Sequence, residues 1–240
     1  MKHEISVLLL KTFLFFSLST NAQQVTAPET QESPIFKIGY CYMPQSTFIF
    51  NSGEKNDPYA NPMWKKGFMT GLTVGLVFTE KVSFDFGVLY SRQGVDYGRS
   101  SAFYAPITLS YIKVPFALNY RPFIKHKVPL EFTGGFQYSG LIKAVIDMPS
   151  GYYLPGDDKQ WFNPAIIDVV AGVGFNFRLV DNLFMNTKFR MDYSLGDPIN
   201  RDYVYNKGGS RGSHWKSDRS PSRNITLGFL IGLEYHFGKI

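Results

Sequence analysis

The chain has 240 residues, 44% hydrophobic and 18% charged, with 22 Phe, 15 Tyr, 22 Gly and a formal net charge of +6. That length suits one domain, and a charged fraction below the roughly 25% of soluble domains excludes a large water-facing surface outside the loops. The single cysteine, Cys41, excludes an internal disulfide, and no basic run with interleaved aromatics supports nucleic-acid binding.

Residues 1–22 carry Lys2 and His3, then an apolar stretch broken by Lys11, then Thr20, Asn21 and Ala22. The pattern predicts a cleaved signal peptide with Gln23 as the new terminus, since the stretch is too short and too interrupted for a bilayer-spanning helix. Residues 23–34 are polar with two prolines and predict a flexible periplasmic lead-in. The remainder, 35–240, reads as a single barrel domain.

From residue 35 eight segments alternate with a period of two, which predicts strands. The first, 35–43, sets Phe36, Ile38, Tyr40 and Tyr42 against Lys37, Gly39 and Cys41. In 67–78, Phe68, Leu72, Val74 and Leu76 oppose Gly67, Gly71, Thr73 and Gly75. A tight turn at 79–81 leads into 82–93, where Val82, Phe84, Phe86, Val88 and Tyr90 oppose Ser83, Asp85, Gly87 and Ser91. Segment 109–120 places Ile112, Val114, Phe116 and Leu118 opposite Lys113, Pro115, Ala117 and Asn119. Because Pro115 has no N–H, a bulge or a missing ladder bond is expected there. Segments 130–142, 166–177 and 183–194 follow, with Glu131, Asp168, Lys188, Arg190 and Asp192 on their polar faces. The last, 224–237, is the clearest: Ile225, Leu227, Phe229, Ile231, Leu233, Tyr235 and Phe237 form one face, and glycine and polar groups dominate the other.

Connections 44–66, 94–108, 143–165 and 195–223 are long, and they alternate with shorter ones at 79–81, 121–129 and 178–182. Together these features predict an all-β, eight-stranded antiparallel up-and-down transmembrane β-barrel with long extracellular loops and short periplasmic turns.

Nine strand charges, Lys37, Asp85, Lys113, Glu131, Asp168, Lys188, Arg190, Asp192 and Glu234, share the face opposite the apolar one. A Lys or Arg facing lipid near the midplane costs about 2–4 kcal/mol, so the charged face is expected in the lumen and the apolar face against acyl chains. Eight strands leave room for side chains but no channel. A plugged interior with a salt-bridge network is therefore expected, and Cys41 falls on its lumen side as a small filler. A soluble lipocalin-like barrel would invert the faces and crowd the aromatics into an interior too small for them.

Tyr111, Ile112, Lys113, Val114, Pro115, Phe116, Ala117, Leu118, Asn119 and Tyr120, with Leu89, Tyr90, Ser91, Arg92, Gln93 and Gly94 upstream and a leader ending at Ala22 and Gln23, resemble the PorT-like outer-membrane β-barrel family of the Bacteroidetes. Lys113 stands where that family usually carries an acid. The resemblance implies an integral outer-membrane barrel, often without an assigned activity, some of whose members take part in type IX secretion and gliding.

Chemistry is sparse. His214 with Ser213 and Asp218 is the loop cluster nearest to a triad, the histidines are too dispersed for a metal site, and Asp157 with Asp158 lacks the spaced oxygens of a calcium loop. No cofactor is expected. Arg201, Lys207, Arg211, Lys216 and Arg219 are candidates to meet lipopolysaccharide phosphates, and Tyr152, Tyr153 and Trp161 either pack over the barrel mouth or bind a partner. The leading expectation is a non-catalytic structural or interaction protein of the outer membrane. The alternatives are a secretion or gliding component, and a lipid-modifying enzyme or protease.

Overall fold

A computed structural model describes residues 35–51, 62–97, 105–123, 130–147, 158–200 and 220–237. The alternating segments form eight strands: β1 (Ile35–Asn51), β2 (Pro62–Val77), β3 (Val82–Tyr97), β4 (Ala105–Tyr120), β5 (Leu130–Ile146), β6 (Ala165–Val180), β7 (Leu183–Ser194) and β8 (Ser222–Phe237). Each pairs antiparallel with the next, and β8 closes on β1, so no strand edge is left unpaired. The proposed leader and lead-in lie outside the described residues.

Stepping across hydrogen-bonded partners from Lys37 through Gly75, Asp85, Ala117, Gly135, Val170, Asp192 and Thr226 returns to β1 at Thr47, ten residues up the same strand. That stagger over eight strands tilts them by about 40° from the barrel axis. The faces are unambiguous. Phe116 and Phe229 are each 50% exposed, whereas Lys113 and Glu131 are each 1% exposed. The greasy face therefore meets lipid and the ionic face is sealed inside.

Most strands are longer than their alternation predicts. β1 continues eight residues past 43, β2 starts at Pro62 rather than 67, β3 and β5 run on to Tyr97 and Ile146, and β4 starts at Ala105. A strand of 16 residues at this tilt rises about 40 Å, against an apolar band of about 25 Å in such barrels. The wall thus stands clear of the lipid at the end with the long connections, which in outer-membrane barrels is the extracellular end. In this upper part the polarity of the faces is mixed. Ser46, Lys66 and Arg92 point out beside exposed Phe50 and Trp64, while Ile49, Val95, Ile107 and Leu109 are buried in the lumen beside Thr47 and Asn51. A broken alternation with Pro and Ser in it reads as loop. β6 extends at its other end, to Val180 with a register shift after Arg178, and β7 keeps the predicted bounds.

At Pro115 the β3–β4 ladder passes from Phe86–Phe116 to Leu89–Lys113 without a change of register. The missing donor interrupts the pairing and makes no bulge. The bulges lie elsewhere, between Trp64 and Phe68 and between Ser110 and Tyr111. Gly94 has φ +153°, and a Cβ there would collide with the Ile107 carbonyl, so the close approach of β3 to β4 requires glycine.

Candidate functional site: the filled lumen

The lumen is built in three levels, because alternate residues of every strand must point into it and the stagger lifts each strand's set relative to the next. At the periplasmic level Lys37 Nζ lies 2.8 Å from Asp85 Oδ1 and 3.1 Å from Glu234 Oε2. Gly75 makes room for this, since a Cβ there would strike both Asp85 and Lys37. Glu131 accepts from Lys188 Nζ and Arg121 Nε, both at 2.8 Å, and from Asn186 Nδ2 at 3.1 Å. Asn119 joins the two groups: its Nδ2 donates to Asp85 at 2.7 Å, and its Oδ1 accepts from Thr133 at 2.7 Å and Lys188 at 3.3 Å. His236 is stacked on Phe184 with centroids 4.2 Å apart.

At the middle level the β4–β7 side is ionic and the opposite wall is not. Lys113 Nζ is 2.9 Å from Asp192 Oδ2, and Arg190 Nε is 2.7 Å from Asp192 Oδ1. Gln137 accepts from Arg190 Nη2 and donates to Asp168 at 2.9 Å, and Ser139 donates to Asp168 at 2.6 Å. Facing them, Cys41, Met43, Met69, Leu89 and Leu230 form a small apolar cluster. At the extracellular level Ile49, Val95, Ile107, Leu109, Tyr111, Leu141, Ala144, Phe162 and Ile166 form an apolar cap over part of the lumen, beside buried Thr47, Asn51, Gln93, Ser222 and Asn224.

The charges balance level by level. Lys37, Arg121 and Lys188 face Asp85, Glu131 and Glu234 below, while Lys113 and Arg190 face Asp168 and Asp192 above. Buried ions are tolerated only when paired and hydrogen-bonded, and removing one partner typically costs about 3–5 kcal/mol. The arrangement therefore holds strands together and leaves no net charge to attract an ion. A lumen cavity of about 50 Å³, enough for one or a few waters, lies among Thr73, Asp85, Lys188 and Glu234.

All nine strand charges predicted for the lumen lie there. Arg121 belongs with them, although the sequence places it in a turn; its odd number continues the parity of Lys113, Ala117 and Asn119, and that was the available signal. Asn119 and Gln137 were legible only as inward-facing, since most of their partners are 31 to 69 residues away in sequence. Trp161 packs against the apolar cap beside buried Phe162. The Asp158 carboxylate accepts from the Ile146 N–H at 2.8 Å, and no group of three His, Cys, Asp or Glu among the described residues is placed to hold a metal. Arg201, Lys207, Arg211, Lys216, Arg219, Tyr152, Tyr153 and the His214 cluster lie outside the described residues.

Among solved structures the chain is similar to Neisserial surface protein A, with TM-score 0.48 and 14% identity over 84% of this chain and 97% of that one. It is also similar to the outer membrane protein OprG of Pseudomonas aeruginosa, with TM-score 0.47 and 14% identity over 85% and 96%. A third is Ail, the attachment invasion locus protein of Yersinia pestis, with TM-score 0.39 and 16% identity over 85% and 99%. No curated protein sequence matches the chain. The model of the outer membrane protein beta-barrel domain matches residues 36–200, more than half of the chain, and the protein belongs to that family.

Proposed function

We propose that the protein is a non-conducting, non-catalytic barrel of the PorT-like kind that offers its extracellular loops to a protein or to lipopolysaccharide. The observation that carries this reading is the lumen: every buried charge is used by another or by a hydrogen bond, and an apolar cap lies above them. Paired charges and an apolar cluster of leucine, isoleucine, valine and aromatic side chains fill the lumen, which supports a barrel without an open path for ions. The cations at Arg201, Lys207, Arg211, Lys216 and Arg219 supply loop chemistry suited to phosphate or an acidic partner. Export through a leader cleaved after Ala22 completes the reading, and amino-terminal sequencing of the mature protein should begin at Gln23.

The test is reconstitution of the full mature chain into planar bilayers, followed by cross-linking in native outer membranes. We expect no single-channel steps and a cross-linked partner that is lost when residues 201–219 are replaced by a Gly-Ser segment. Stepwise conductance, or hydrolysis of lipid A or peptide that disappears in His214→Ala, overturns the proposal.

A further inference from the structure

A second opening lies on the lipid side of the wall, and the lumen chemistry makes no use of it. β1 and β8 pair along most of their length, but the ladder passes from Tyr42–Ile231 directly to Gln45–Gly228. Pro44 sits in that gap and has no N–H to donate. Over this seam the outer surface forms a groove of about 650 Å³, within the roughly 300–1,000 Å³ of small-molecule sites.

The groove has two ends of different character. Leu227, Phe229 and Pro44 make an apolar floor, and Trp64, Ser46 and Lys66 line the end nearer the long connections. Lys66 pairs with Ser46 across β1 and β2, just below the exposed aromatics Trp64 and Phe50 on the same outer face. Its side chain is exposed and forms no ion pair among the described residues. Arg92 is a second such cation: it is exposed on the outer face of β3 opposite Phe68, two residues along β2 from Lys66. The neighbouring Lys65 is different, since it is neutralised by Asp96 at 2.6 Å.

A hydrocarbon-floored slot whose Trp64 end lies under two cations that form no ion pair among the described residues is complementary to an acyl chain with a phosphate at its head. The cations stand toward the extracellular end, where the surrounding leaflet of an outer membrane consists of phosphorylated, acylated glycolipid. We propose that this groove is a binding site for one acyl chain of lipid A, with Lys66 and Arg92 holding its phosphate. Charge-assisted hydrogen bonds of Lys and Arg to phosphate supply the affinity, and the seam at Pro44 supplies the shape.

Native mass spectrometry of the folded, detergent-solubilised protein tests this with three probes: bis-phosphorylated lipid A, the same lipid without phosphates, and phosphatidylglycerol. We expect one bis-phosphorylated lipid A per barrel, with the other two retained about tenfold less or weaker still. The Lys66→Ala, Arg92→Ala double variant should lose that preference, and Lys66→Arg should keep it. Ser46→Phe, which fills the groove from outside and leaves both cations in place, should release the lipid. Heat-modifiable gel migration verifies that each variant is folded. Equal retention of the phosphate-free lipid or of phosphatidylglycerol, or an unchanged preference in the double alanine variant, overturns the proposal.

Discussion

The lower two levels of the lumen and its extracellular cap are enclosed by the same eight strands, yet they are opposite kinds of interior. Below, ten ionised side chains are matched within hydrogen-bond reach; above, a cluster of nine buried side chains is apolar. The solvent outside explains the difference. Where lipid surrounds the wall, the outer residues must be apolar, and the polar half of each strand has nowhere to go but inward. Where the wall clears the lipid, that constraint is lifted, and apolar side chains enter the lumen beside polar ones such as Thr47, Asn51 and Asn224. One closed sheet is thus inside-out along its membrane-spanning part and mixed above it.

Breaking each interior in turn separates the two mechanisms. The largest effect is expected for Glu131→Leu, which removes the acid that Arg121 and Lys188 both pair with directly. Urea unfolding in phospholipid vesicles should show a loss of about 3–5 kcal/mol. Leu109→Ala in the cap removes apolar packing with no charge involved and should cost about 2–5 kcal/mol in the same assay. The ordering is reversed if the charges are merely solvated.

Two outward substitutions sharpen the boundary. Val88→Arg puts a guanidinium against acyl chains and should cost about 2–4 kcal/mol, whereas Thr108→Arg on the protruding wall should cost about 0–1 kcal/mol. Equal costs would remove the claim that the wall clears the lipid between these heights. In the same frame the Lys66→Ala, Arg92→Ala variant should leave unfolding stability within about 0.5 kcal/mol, because both side chains are exposed on the outer face.

The faces, the strand count and the orientation of the barrel were legible in the residues. Phe229 and Phe116 against Glu131 and Lys113 already separate lipid from lumen. The upper parts of β1 to β5 were not legible, because Ile49, Val95 and Leu109 reverse the pattern just where a reader following the apolar face expects it to continue. Arg121 was hidden by its place next to Pro122 at a strand end. Its role becomes visible only once Glu131 is seen 2.8 Å away.

Period-two alternation is a covalent property of an extended chain, so the order of residues by itself determined which side chains share a face and therefore which solvent each face meets. Which charge meets which depends on closure and stagger. Lys37 reaches Glu234 across 197 residues only because β8 returns to β1. The division of the lumen into neutral levels, the cap above them and the groove at Pro44 were accordingly decided by the tertiary structure, through register that no single strand encodes.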